Sequence, residues 1–203
     1  MSLLAKRITL LGISLFAGLM GCSPLPYHFT DTQLSDDVLQ RVQAQFHDAP
    51  PISITWSLDA EGFKITKAER DMNIKWFGDR AGHIFPVGSL FTNYLGQAQN
   101  AAFASRKGTP RSFKASITSA AMSYTMKSGL LLSYMDWVEL TLTITTEDAG
   151  GHIQPITLRR EVSITSSEAT NASDVVRDRA LRTVIQKLVF DYLDAVWHAS
   201  VAR

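Results

Sequence analysis

Hydrophobic and polar positions repeat at two periods along the chain, and each change of period marks an element. After Ser35, Asp36 and Asp37, residues suited to a helix start, Val38, Leu39, Val42 and Phe46 recur at helical spacing. A short amphipathic helix is predicted there, stopped by Pro50 and Pro51. Ile52, Ile54, Trp56 and Leu58 then alternate with Ser53, Thr55 and Ser57 at the period of a half-buried strand. The stretch from Asp59 to Gly62 turns the chain. Phe63 to Thr66 and Met72 to Phe77 suggest a partner strand, with Met72, Ile74 and Trp76 on one face and the charged Lys67 to Asp71 as an interruption.

Gly78 to Gly88 reads as a loop, after which Ser89 caps a helix carrying Leu90, Phe91, Tyr94, Leu95, Ala98, Ala101 and Ala102. Gly108, Thr109 and Pro110 end it. Phe113 to Tyr124 reads as a strand, with Phe113, Ala115 and Ile117 on one side and a bend at Lys127 to Gly129. The cleanest alternation follows, Val138, Leu140, Leu142 and Ile144 against Glu139, Thr141, Thr143 and Thr145. A turn at Gly150 and Gly151 leads to Ile156, Leu158, Val162 and Ile164, so residues 137–147 and 153–165 form an antiparallel hairpin. After Ser173, the stripe Val176, Ala180, Leu181, Val184, Ile185, Leu188, Val189, Tyr192 and Val196 predicts a helix that covers a sheet. The order of elements gives an α+β fold, a two-layer sandwich with an antiparallel sheet and helices packed on one face.

The amino terminus follows a different logic. Lys6 and Arg7 precede the apolar run from Ile8 to Met20, and its 13 residues fall short of the roughly 20 that a spanning helix needs. Residues 1–21 therefore read as a signal peptide. Leu19, Met20 and Gly21 run directly into Cys22, and this resembles the lipobox of bacterial lipoproteins. The resemblance implies that Cys22 is linked by a thioether to diacylglycerol and becomes the first mature residue, with the acyl chains as the membrane anchor. Ser23 occupies the position where lipoproteins kept at the inner membrane carry Asp, which implies the periplasmic face of the outer membrane. Residues 22–34, with Pro24 and Pro26, read as the lipidated cysteine and a tether, and residues 35–203 as one domain.

Composition narrows the function classes. A hydrophobic share of 45% against 19% charged suits a globular chain with a core, and a formal charge of +1 offers no field to attract nucleic acid. Loss of Lys6 and Arg7 with the leader leaves 18 basic against 19 acidic side chains, so the acyl group is the expected attachment to lipid. A single cysteine excludes a disulfide framework within the chain and a multi-cysteine zinc site.

Catalytic signatures are sparse. The histidines at 28, 47, 83, 152 and 198 show no pair at helical metal-ligand spacing, so no metal and no cofactor is expected. There is no serine nucleophile elbow and no glycine-rich phosphate loop between a strand and a helix. The best enzyme candidate is Asp79, Arg80, Ala81, Gly82 and His83 with Ser89, a loop holding a carboxylate, an imidazole and a hydroxyl; the same residues suit a solvated connector. Arg159 and Arg160 beside Glu161 are candidate ligand-binding residues, since Arg160 falls on the otherwise apolar parity of its strand. An arginine there reaches a lipid phosphate or a partner carboxylate, or marks a strand edge and snorkels outward. Trp56, Trp76, Trp137 and Trp197 suit a groove or a core. His152 suits an exposed turn, and Asn171 to Ser173 a helix start.

From Ser89 to Trp197 the order of helix, strand, long hairpin and amphipathic helix resembles the YajG-type outer-membrane lipoproteins, the hairpin lying at Val138 to Ile144 and Ile156 to Ile164. The likeness covers the C-terminal half of the chain and does not extend to Ser35 to Phe46 or Phe63 to Phe77. It implies a non-enzymatic periplasmic accessory or binding module that presents an interaction surface to an envelope protein. The LptE-like lipoproteins share a comparable element order. That resemblance implies a glycolipid such as lipopolysaccharide as ligand, with Arg159 and Arg160 contacting it.

Overall fold

In the computed structural model of the chain, the structure describes residues 25–29, 31–65, 69–71, 83–128, 133–163 and 173–201. Residues 1–21, expected as a signal peptide, and Cys22, residues 72–77, Asp79 to Gly82, and Asn171 with Ala172 lie outside the described residues. In chain order the elements are β1 (Leu25–Pro26), α1 (Asp36–Gln45), β2 (Ile52–Trp56), β3 (Glu69–Asp71), β4 (His83–Ile84), α2 (Val87–Phe103), β5 (Arg111–Ser128), β6 (Ser133–Asp148), β7 (Ile153–Ser163) and α3 (Ser173–Val201).

The main sheet has the order β2-β5-β6-β7, with β3 also alongside β5. The long hairpin is antiparallel, Phe113 facing Asp148 at one end and Ser128 facing Ser133 at the other. A second antiparallel ladder joins β6 to β7, from Trp137 opposite Ser163 to Glu147 opposite Ile153. The α+β class and the helices against the sheet agree with the pattern analysis, but the sheet is mixed. β2 pairs with β5 in parallel, Ile52 to Trp56 running beside Arg111 to Ala115, and β3 does the same at Ser123 to Thr125. The helix α2 supplies the reason, because it carries the chain back to the end from which β2 set out, so the next strand runs in the same direction.

Side chains alternate across β6 as the pattern requires. Val138, Leu140, Leu142 and Ile144 are wholly buried, whereas Glu139, Thr141, Thr143 and Thr145 are half-buried on the other face. On β5 the inward parity changes. Phe113, Ala115 and Ile117 face the core first, and a register shift between Ile117 and Ser119 then brings Met122 inward opposite Leu140. Thr118 is the residue left over, and its hydroxyl donates to the Thr143 carbonyl at 3.1 Å. The apolar stripe of α3 meets this face through Leu181, Val184, Ile185, Leu188, Val189, Tyr192, Leu193 and Val196, all buried. Phe46, at the end of α1, is wholly buried against the rings of Phe103, Phe190 and Trp197.

Three boundaries differ from the pattern. The helix α2 begins at Val87 with Pro86 at its cap, and Ser89 donates its hydroxyl back to the Pro86 carbonyl at 3.0 Å. Gly88 thus lies in the first turn, where the backbone passes so close to Ala60 and Phe63 that a side chain would collide. Within the charged interruption, Glu69 to Asp71 form β3, and Ile65 instead bridges to Phe85. In the segment expected as tether, Leu25 and Pro26 pair in parallel with His83 and Ile84, and Leu34 is buried. Tyr27 packs on Phe29 and Phe85, with ring centroids 5.2 and 5.5 Å away.

Candidate functional site

Arg159 and Arg160 are neighbours on β7, so the pleat sends their side chains to opposite faces of the sheet. Arg159 reaches Glu139 on β6, its Nε and Nη2 donating to Oε2 at 2.8 and 2.5 Å. Arg160 turns to the helical side and meets Asp191 of α3 in a forked pair, Nε to Oδ2 at 2.5 Å and Nη2 to Oδ1 at 2.7 Å. These hydrogen bonds and the facing carboxylate charges hold both guanidinium pKa values above the ordinary arginine range. Such pairs, with Arg159 and Arg160 both exposed, contribute little to stability but fix where the charges sit.

Both arginines line a groove of about 760 Å³ between β7, α1 and α3. Asp37, Val38 and Arg41 form the α1 wall, and Arg41 is itself paired with Asp37 at 3.2 Å. The α3 wall includes Gln186, Lys187, Phe190 and Asp191, and Glu161 completes the β7 side. Cations and carboxylates are balanced in this lining. Glu161 accepts from the Trp137 indole N–H at 3.2 Å, and neither Glu161 nor Lys187 has an ion pair among the described residues. The volume lies within the range of small-ligand clefts. An anion entering the groove has to compete with carboxylates already seated on the arginines.

The other expected features are dispersed. Of the loop candidate, the backbone of His83 lies in β4, Ser89 is engaged with Pro86, and the remaining residues fall outside the described chain. His152 sits exposed in the β6–β7 turn with its Nδ1 3.2 Å from Asp148 Oδ1. The same carboxylate accepts from the backbone N–H groups of Gly150 and His152 at 2.9 and 3.0 Å, and hydrogen bonding from His152 and Gly150 keeps its pKa below the ordinary aspartate range. Trp56 packs edge-on to Phe91 and Trp197 edge-on to Phe46, which makes both part of the aromatic core. Among the described residues, no three His, Cys, Asp or Glu side chains are grouped to hold a metal ion. No described helix is long and apolar enough to cross a membrane.

One cluster was missed by the pattern analysis. Arg182 bridges Asp178, one turn earlier on α3, and Asp31 of the amino-terminal segment, both at 2.8 Å. The Asp178 side chain is only 4% exposed, and the Tyr27 hydroxyl donates to it at 3.4 Å. Spacing of four residues on a helix was the available signal for the first pair. Beside this cluster Tyr94 is wholly buried; burial raises its pKa, and the Arg182 charge with hydrogen bonding from Gln186 and Arg182 opposes that rise.

No known protein family and no curated protein matches the chain. Among solved structures, a minor lipoprotein from Acinetobacter baumannii is similar to it with a TM-score of 0.39 and 17% identity, over 54% of this chain and 83% of that one.

Proposed function

We propose that this chain is a lipid-anchored accessory protein on the periplasmic face of the outer membrane, without catalytic activity, that binds another envelope component through the groove between β7, α1 and α3. The observation that carries the reading is the run from Lys6 to Cys22, a positive region, a short apolar stretch and a lipobox-like Leu19 to Cys22 in the order that lipoprotein processing requires. The balanced charges of the groove favour a protein partner over an acidic glycolipid, because Arg41, Arg159 and Arg160 each already face a carboxylate.

Cys22→Ala tests the anchor. The unaltered chain is expected in the membrane fraction with an acylated amino-terminal Cys22 by mass spectrometry, and the variant in the soluble fraction or retained with its leader uncut. An unacylated thiol on the natural protein would overturn the reading. Cross-linking in intact envelopes tests the binding role, and charge reversal of Arg159 and Arg160 is expected to weaken the captured complex.

A further inference from the structure

We propose that the free edge of β7, together with the groove beside it, takes up an extended peptide of a partner protein by strand addition, with Lys187 and Glu161 selecting an acidic and a basic side chain on that peptide. This deepens the binding role proposed above and rests on it for the groove, though not on the lipid anchor.

The sheet ends on β7, whose second edge is paired with no described strand. An edge of this kind offers a row of backbone donors and acceptors, and proteins commonly guard it with proline and charge. Here Pro155 guards only the start of the strand. The arginines farther along are committed elsewhere, Arg159 to Glu139 of β6 and Arg160 to Asp191 of α3. Their charges are neutralised and their side chains held over the two faces, so they do not repel an incoming strand. The groove lies beside this same stretch of β7, which supplies Arg159, Arg160 and Glu161 to its lining. Its other walls are helical, the arrangement in which a strand-adding peptide gains main-chain hydrogen bonds on one side and side-chain contacts on the other. Val38 and Phe190, both half-buried, offer apolar contact there. Glu161 also acts electrostatically on Arg159, but that guanidinium is itself paired with Glu139, so Lys187 and Glu161 are the charges in the lining without an ion pair among the described residues. One is positive and one negative, so the complementary ligand carries both signs. A polyanionic glycolipid satisfies Lys187 but is repelled by Glu161, and a peptide satisfies both.

The test uses the full mature protein in detergent micelles and short fluorescent peptides with one Glu and one Lys at varied spacing in a Val and Thr background. Fluorescence anisotropy is expected to find binding peptides. Lys187→Glu and Glu161→Lys are each expected to weaken them by roughly threefold to tenfold, the scale of one partly exposed charge pair. The double variant is expected to recover binding for peptides with the two charges exchanged. Backbone N-methylation at alternate peptide positions is expected to abolish binding to the unaltered protein, a loss that side-chain recognition alone does not cause and that no protein variant has to fold to reveal. Equal binding of N-methylated peptides, or no binding by any peptide, overturns the proposal. So does a dimer in sedimentation that Lys187→Glu dissolves, which would make a second copy the occupant, or tighter capture of lipopolysaccharide micelles than of any peptide. An acylated protein that binds no peptide keeps the anchor and loses the groove; an unacylated one that binds them loses the anchor and keeps the groove.

Discussion

Tyr192 lies wholly buried in the middle of α3, and its hydroxyl and that of Thr146 on β6 are 2.8 Å apart. Burial pushes its pKa up to about 12 from the ordinary 10.0, with the Thr146 hydrogen bond acting in the opposite direction. In the unfolded chain the phenol loses its proton near the ordinary value, whereas the folded chain keeps it. The contribution is therefore fully present below pH 10.0 and is lost as the pH rises toward about 12. Tyr192→Phe is expected to cost about 1–2 kcal/mol at neutral pH, because Thr146 is left with a buried, unmatched hydroxyl. The variant is also expected to lose part of the alkaline decline in stability. Urea unfolding in neutral and alkaline buffer measures both effects, and an alkaline decline as steep as that of the unaltered chain would contradict the assignment. Nothing in the local pattern distinguishes Tyr192 from its apolar neighbours, since its partner sits on a strand far away in sequence.

The two glycines of α2 have opposite roles within one element. A Cβ on Gly88 would strike the Ala60 carbonyl oxygen and lie 2.8 Å from the Cβ of Phe63, so backbone and a core ring would both have to move. Gly88→Ala is expected to destabilise by about 1–3 kcal/mol. Gly96 has nothing within 4 Å of the same position. There the helix interior gains from a Cβ, and Gly96→Ala is expected to stabilise by about 0.5–1 kcal/mol. Thermal unfolding of the two variants should therefore shift in opposite directions; shifts of the same sign would show that the close approach at Gly88 is not what positions the helix. The pattern placed Gly88 in a loop because Ser89 is the stronger capping signal. Contact with the Ala60 to Phe63 turn draws the helix start back to Val87.

At the scale of the molecule, the amino-terminal segment is a docked part of the fold. Arg182 holds Asp31 against α3, Gln97 of α2 accepts from the Leu34 N–H at 2.8 Å, and Leu25 and Pro26 extend a small sheet. With Cys22 acylated as proposed, Leu25 follows within about 11 Å of extended chain, which keeps the body close to the bilayer rather than on a long leash. Arg182→Gln is expected to loosen residues 25–34. Asp178 loses its cation in a nearly buried setting, and partial exposure of Arg182 limits the loss to about 1 kcal/mol. Amide hydrogen exchange in this segment is expected to rise roughly fivefold while β6 remains protected. Unchanged exchange there would mean that the aromatic contacts of Tyr27 suffice to hold it.

Periodicity alone determined the three helices, the antiparallel hairpin of β6 and β7 and the inward face of β6, because which side chains share a face depends only on the local backbone repeat. It also placed Arg160 on the helical side of the sheet. Tertiary structure decided the rest. The parallel pairing of β2 and β3 with β5 depends on how the connecting segments return, and the change of inward parity on β5 depends on one extra residue at Thr118. The groove has walls from three elements, and the pairing of Arg160 with Asp191 joins a strand to a helix. Such contacts join groups distant along the chain, and only the closing of the sheet against its helices brings them within hydrogen-bonding distance.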